Sequence, residues 1–234
     1  LKAIKIDCSD CKNHGKSIFC QLEKSPLLEV SEHKIMNIYK KGQILFHEGN
    51  PAFGAYCLSE GKVKLSKTNE NGKETLLRIA GPGELVGFQN ILANGLSDVT
   101  ATALEETKIC FIDRPFLNGF IQKEASCAME LLSHLAQDMA DLQNRVNGFQ
   151  TKSVSERVAM TLLDLSEKYG VETPQGIRLD ITLSREDMAS LLGMATETLI
   201  RELSIMKDEG SIAQDGKTII ITSKKALSRQ AGVV

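Results

Sequence analysis

Sulfur is the reactive element of this chain. Six cysteines occur, at positions 8, 11, 20, 57, 110 and 127, and half of them crowd together as Cys8-Ser9-Asp10-Cys11 followed by Cys20. No secretory signal pattern opens the sequence, so a cytoplasmic, reducing location is the expectation and disulfides are disfavoured. Three readings of the cluster then stand side by side. Cys8, Cys11, His14 and Cys20 match the three thiolates and one imidazole of a small tetrahedral zinc site. Alternatively the thiols respond to oxidants directly, or they are merely buried, as free cysteines often are. Cys57 and Cys127 read as core or seam residues. His33, His47 and His134 lie among polar or helical residues and read as structural or solvated. No Ser-His-Asp pattern, phosphate-binding glycine loop or paired carboxylates suggests catalysis, and a cupin-type enzyme would need more strand ligands than His47 alone. An enzyme is not expected.

A second chemistry lies near the C-terminus. Ser184 precedes Arg185-Glu186-Asp187 and an apolar pattern at Met188, Leu191 and Leu192, a capping-box variant that should start a helix. Gly193 ends it after about two turns, because glycine takes the positive φ that a sharp turn requires. Thr196 is placed to cap a second helix whose Leu199, Leu203 and Met206 face inward, leaving Glu197, Ile200 and Arg201 outward. Two short helices joined by a glycine turn form a helix-turn-helix, whose second helix enters the major groove of double-stranded DNA. Arg201 can then donate two hydrogen bonds to guanine and Glu197 can accept from cytosine, each contact discriminating by roughly 1 to 3 kcal/mol. The bland alternative is a solvated Glu–Arg ion pair one helical turn apart, worth about 0.3 to 0.5 kcal/mol. Gly210, Asp215-Gly216 and Thr218 to Thr222 read as a hairpin wing beside it, with Lys217, Lys224 and Lys225 available to phosphates.

These residues need elements to position them. With 234 residues and 42% hydrophobic content the chain can bury a substantial core, and no apolar run is long enough for a membrane span. Gln43 to His47, Ala55 to Leu58, Lys62 to Ser66, Glu74 to Ile79 and Lys108 to Ile112 read as strands of a small antiparallel barrel or jelly roll. Asn71-Gly72 between two of them is a type I′ hairpin signal. From about Lys123 to Thr151 the texture turns helical, and Ala128, Leu132, Leu135, Met139, Leu142, Val146 and Phe149 alternate by four and three. That spacing is a heptad seam, read as pairing with a second copy of the chain rather than with its own barrel. The expected fold is α+β: a cysteine-rich segment (1–22), a β-barrel (23–122), a dimerisation helix (123–152) and a winged helix-turn-helix (153–234). The net charge is −2, and from Ser155 onward 10 Lys/Arg stand against 12 Asp/Glu. Without a basic excess, DNA affinity must come from a local face presented twice.

Barrel, long helix and winged helix-turn-helix in this order resemble the CRP/FNR family of transcription regulators. The resemblance is carried by Lys41-Gly42-Gln43 with Phe46-His47-Glu48-Gly49, Gly61-Lys62-Val63, Gly83-Glu84-Leu85-Val86-Gly87-Phe88, Leu191-Leu192-Gly193 and Glu197-Thr198-Leu199-Ile200-Arg201. It implies that Glu197 and Arg201 read base pairs. Ile200 departs from the serine or glycine of the two branches and offers only apolar contact. The resemblance also implies that the Asn71-Gly72 hairpin faces RNA polymerase. Cyclic nucleotide receptors of this fold cradle phosphate with a Gly-Glu-Leu helix start and an Arg-Ser pair. Gly83-Glu84-Leu85 is present, but Asn94-Gly95-Leu96-Ser97-Asp98-Val99-Thr100 has no arginine and carries Asp98, which disfavours cyclic AMP. The N-terminal cysteines are similar to those of the FNR branch, although the Cys11 to Cys20 interval is longer. That likeness implies a [4Fe-4S] cluster held by Cys8, Cys11, Cys20 and Cys110, with oxygen loosening the dimer.

Overall fold

The computed structural model describes residues 7–93 and 95–233; Asn94, in the stretch compared with a phosphate cradle, lies outside them. The chain divides into two compact units, one ending at Met139 and the other beginning at Ala140. In the first, α1 (Lys24–His33) leads into β1 (Ile35–Tyr39), β2 (Ile44–Phe46), β3 (Gly54–Glu60), β4 (Val63–Thr68), β5 (Glu74–Ala80) and β6 (Leu85–Val86). Then come α2 (Phe88–Leu92), β7 (Thr100–Ala103), β8 (Thr107–Asp113), α3 (Arg114–Lys123) and α4 (Ala125–Thr151), the last running on into the second unit. Two four-stranded antiparallel sheets, ordered β1-β8-β3-β6 and β2-β7-β4-β5, make the jelly roll. The strands expected from alternation are all present; β1 and β7 escape it because their patterns, Ile-Met-Asn-Ile-Tyr and Thr-Ala-Thr-Ala, carry little apolar periodicity.

The side-chain alternation of β3 and β8 sorts residues into two cores. Leu58 and Ile109 point between the sheets with Val63, Leu65, Ala80, Val86 and Ala101. Ala55 and Ile112 point the other way, into a cluster with Ile18, Phe19 and Leu22 of the N-terminal segment, α1, α3, and Cys127 and Leu131 of α4. The N-terminal segment is thus part of the fold, anchored by burial on the outer face of one sheet.

Two expectations change in detail. Between β4 and β5 the Gly72 N–H donates to the Asn69 carbonyl at 2.9 Å, and the Asn69 N–H to the Lys73 carbonyl at 3.0 Å. Asn71 and Gly72 are therefore not the two central residues of a type I′ turn. The loop is three residues long, closed by Gly72 at φ +75° and by Asn69 Oδ1, which accepts from the Asn71 and Lys73 N–H groups. On α4 the seam is not uniform. Leu132, Met139, Leu142, Val146 and Phe149 are exposed, with Met129 beside them, but Leu135 is partly buried against the cluster that holds Leu131. Leu135 lies four residues after Leu131 and so shares its face rather than that of Leu132.

In the second unit α5 (Val154–Tyr169) starts in a reciprocal capping box between Ser153 and Glu156. It is followed by β9 (Gly170–Thr173), β10 (Gly176–Leu179), α6 (Arg185–Leu191), α7 (Thr196–Asp208), β11 (Ile212–Asp215), β12 (Thr218–Ile221) and α8 (Lys224–Gln230). The expected wing, β11–β12, is joined by β10 and β9 in one antiparallel sheet, a hairpin that the sequence reading missed. Among the described residues no helix is long and apolar enough to cross a membrane.

Asp164 of α5 is half-buried, and burial holds its carboxyl above the usual aspartate range against the opposing charge of Lys168. A folded-state value above the unfolded one, about 3.9, gives stability that is fully present below that value and lost as pH rises through the folded value. Asp164→Asn is therefore expected to raise the unfolding midpoint at pH 7, and the gain should vanish as the pH is lowered into the carboxylate range. A gain independent of pH would contradict this account.

Candidate functional site

The helix-turn-helix is built as its residues direct. Ser184 caps α6: its hydroxyl accepts from the Asp187 N–H at 2.9 Å and donates to Asp187 Oδ2 at 2.8 Å. Gly193 sits at φ +60°, and the Met194 N–H reaches back to the Ala189 carbonyl at 3.0 Å, so the last turn of α6 closes before the chain reverses. The second helix begins one residue earlier than expected. Ala195 is its extended N-cap and makes no side-chain bond, while Thr196 is already the first helical residue and cannot cap. Leu199, Leu203 and Met206 are fully buried; Glu197, Ile200 and Arg201 are exposed. Ile200, at 48% exposure, offers an apolar contact on an otherwise charged face.

Two arginines that the sequence reading did not single out hold this turn. Arg157 Nη1 donates to the Leu192 carbonyl and Arg145 Nη2 to the Leu191 carbonyl, both at 3.1 Å. The C-terminal carbonyls of α6 lack helical partners and carry the negative end of its dipole, so a guanidinium on each is favourable. Burial lowers the pKa of Arg145 without threatening its charge. Arg157 also lies over the Phe149 ring, 5.4 Å from its centroid. That ring would come within 3.3 Å of any Cβ placed at position 193. Arg185 reaches Gln214 Oε1 at 3.0 Å and ties α6 to the wing. Lys217, Lys224 and Lys225 are exposed, and Lys224 lies 3.7 Å from Glu167.

The second assembly is a thiol pocket in the first unit. Cys8, Cys11, Cys57 and Cys110 line one small cavity, of about 20 Å³, together with His14 and Lys34. Cys8 is fixed by its N–H bond to Ser31 Oγ, 2.9 Å, and Lys34 Nζ donates to Cys8 Sγ at 3.0 Å. Burial alone would lower the Lys34 pKa, but that hydrogen bond and the facing Cys8, Cys110 and Cys11 outweigh it and hold it up. Burial pushes the Cys57 and Cys110 thiols up. Cys127 is raised to about 11, mainly by burial, as suits a core cysteine.

Of the four cysteines first grouped by likeness, the pocket thus gathers Cys8, Cys11 and Cys110; Cys20 is half-exposed and does not line it. Among the described residues no three His, Cys, Asp or Glu side chains stand close enough to hold a single metal ion, so the zinc set with His14 and Cys20 is not assembled. Lys34 and Cys57 were missed as site residues because neither has a local signal; only the fold brings them to the others.

Gly83-Glu84-Leu85 does not start a helix. The chain passes from a turn into β6, and Glu84 is engaged by Arg78 at 3.1 Å and by the Gly81 N–H at 2.9 Å. Arg78 also binds Asp138 of α4 at 3.1 Å.

Comparison with known proteins follows the same division. Residues 36–124 match the cyclic nucleotide-binding domain family and residues 156–230 the Crp-like helix-turn-helix domain. The chain is 28% identical over 214 residues to a CRP-like cAMP-activated global transcriptional regulator of Mycobacterium tuberculosis, covering 92% of this chain and 96% of that protein. It is also 28% identical over 232 residues to the fumarate and nitrate reduction regulatory protein of Escherichia coli K12, covering 97% and 91%. In fold it is similar to FixK2 from Bradyrhizobium japonicum, with a TM-score of 0.75 at 21% identity over 84% of this chain and 96% of that one.

Arg157→Met keeps an aliphatic stem over Phe149 but removes the donor to Leu192. Loss of this charged hydrogen bond should cost about 1.5 to 3 kcal/mol in local opening. The expected result is faster amide exchange at Gly193 and Met194 with little change at β9 and β10; unchanged exchange at the turn would refute the capping role.

Proposed function

Since the chain belongs to the CRP/FNR family of transcription regulators, we propose that it reads a twofold DNA site as a homodimer and is switched by redox state at its thiol pocket. The observation that carries the reading is the exposed trio Glu197, Ile200 and Arg201 on the opening turns of α7, a helix whose opposite face is wholly buried. Arg201 donates to guanine O6 and N7, Glu197 accepts from cytosine N4, and Ile200 packs on a thymine methyl. Thr196 and Ser184 lie at the N-terminal ends of α7 and α6, where backbone N–H groups and hydroxyls suit phosphate.

Pairing of two copies rests on the exposed stripe of α4. Leu132, Met139, Leu142 and Val146 recur at heptad spacing and are each 49% or more open to solvent, a state that a twin helix relieves. The β4–β5 hairpin, exposed around Asn71, is the surface offered to RNA polymerase.

For the switch, Cys8, Cys11 and Cys110 are soft ligands gathered at one place beside a buried ammonium, a donor set whose chemistry suits a [4Fe-4S] cluster. His14 Nε2, buried in the same pocket's wall without a hydrogen-bond partner, is a further polar atom that a bound group would satisfy. A cluster supplies an oxygen-labile junction among thiolates. The chain's own part is to tie the N-terminal segment, through Cys8 and Cys11, to β8, through Cys110. The match of 97% of the chain to relatives named for anaerobic and for fumarate and nitrate regulation supports this reading.

Anaerobic purification with iron and sulfide analysis tests the switch: bound iron with DNA affinity lost on exposure to air is expected, and an iron-free anaerobic protein that binds DNA equally well before and after air would end it. Arg201→Ala should lose about 1 to 3 kcal/mol per half-site at the contacted pair while dimerisation is retained. Unchanged footprints would remove Arg201 from the reading. Met139→Glu should shift the chain toward monomer in sedimentation and weaken operator binding; a dimer of unaltered stability would displace the seam.

A further inference from the structure

Building on the cluster reading, we infer that Cys57 supplies the fourth sulfur of the site in place of Cys20. The pairing of β3 with β8 sets Cys57 directly across from Cys110. Opposed residues of an antiparallel pair share a face and have Cβ atoms about 4.5 to 5.5 Å apart. Ala55 and Ile112, two residues away on either strand, show which face that is: both are buried in the cluster beneath the N-terminal segment. Cys57 and Cys110 therefore form a two-sulfur floor, and Cys8 and Cys11 complete the lining from the segment above.

Cys20 does not line the cavity. Its N–H donates to the Ser17 carbonyl at 3.0 Å, and Ile18, Phe19 and Leu22 on either side of it are buried in the core. The segment that carries it is fixed by those buried side chains. Cys57 is already part of the lining. Its strand position also explains how a long Cys11 to Cys20 interval is compatible with a four-thiolate site: that interval is not used to span ligands, but to carry Ile18 and Phe19 into the core.

The imidazole of His14 is the competing fourth ligand, since its Nε2 is buried without a partner and His14 also lines the cavity. Thiolate is preferred because clusters of this type are ordinarily held by four sulfurs.

The test is anaerobic loading of the full chain with ferrous iron and sulfide, comparing Cys20→Ser, Cys57→Ser and His14→Ala with the parent by iron and sulfide content per protomer. Cys20→Ser and His14→Ala are expected to load like the parent, and Cys57→Ser to lose at least about tenfold in retained iron. Circular dichroism of the unloaded variants establishes that Cys57→Ser is folded. Independently of any substitution, alkylation of the loaded parent followed by peptide mass analysis should label Cys20 and leave the spectrum of the cluster intact. Loss of iron in Cys20→Ser, or protection of Cys20 that appears only on loading, overturns the assignment to Cys57. So does loss in His14→Ala with retention in Cys57→Ser. A parent that takes up no iron defeats the cluster reading itself, a result distinct from a parent and a Cys57→Ser variant that load equally.

Discussion

The antiparallel pairing of β3 with β8 is the constraint on which the first unit depends. These strands occupy the middle of their sheet, and their alternation sends Leu58 and Ile109 into the barrel while Ala55 and Ile112 support the layer outside it. A slip of one residue would exchange the two sets. It would turn apolar side chains away from both cores at once and remove Cys57 and Cys110 from beneath Cys8 and Cys11. The same pairing that closes the barrel therefore defines the chemistry on its outer face. The lysine beside those sulfurs is tolerable only because they are there: Lys34 is 7% exposed, and a buried ammonium needs an electron-rich neighbour such as the Cys8 sulfur.

The DNA-binding unit relies on a different device. Its helix α7 is short, and its position relative to α6 is set by a turn around Gly193 whose carbonyls would otherwise be unsatisfied. Arg145 and Arg157, supplied from α4 and α5, satisfy them, and Phe149 closes over the glycine. The placement of α7's exposed face is thus maintained from behind, by groups on α4 and α5. This bears on a unit without net positive charge: some of its arginines serve internal carbonyls and add little to an external field.

How much of this was legible in the sequence follows the range of the interactions. Ser184, Gly193 and the buried trio Leu199, Leu203 and Met206 act within a turn or two of chain, and their types and spacing announce them. Thr196 misled because capping preference names a residue type, whereas the tight reversal at Gly193 had already set Ala195 as the boundary. The Asn71-Gly72 pair gave the hairpin but not its loop, which is fixed by the side chain of Asn69. Leu135 could not be separated from the outward stripe by spacing alone, because a heptad pattern and a broad amphipathic face overlap. Least legible was the thiol pocket. Cys57 lies far from Cys8 in the chain, and its partnership depends on a strand register that no local pattern encodes, while the crowding of Cys8, Cys11 and Cys20 drew attention to proximity in sequence.

The two stripes of α4 have a mechanical consequence. Leu131 packs at home, and Leu132, its neighbour in sequence, stands free about 100° further round the same cylinder. Because the angle between them is set by the helix itself, it cannot relax. Any change in the outer layer of the barrel that rolls Leu131 in its socket must roll the outward stripe by the same angle, with no backlash. In such a shaft, the socket of Leu131 and the ridge of Leu132 and Met139 are geared to one another.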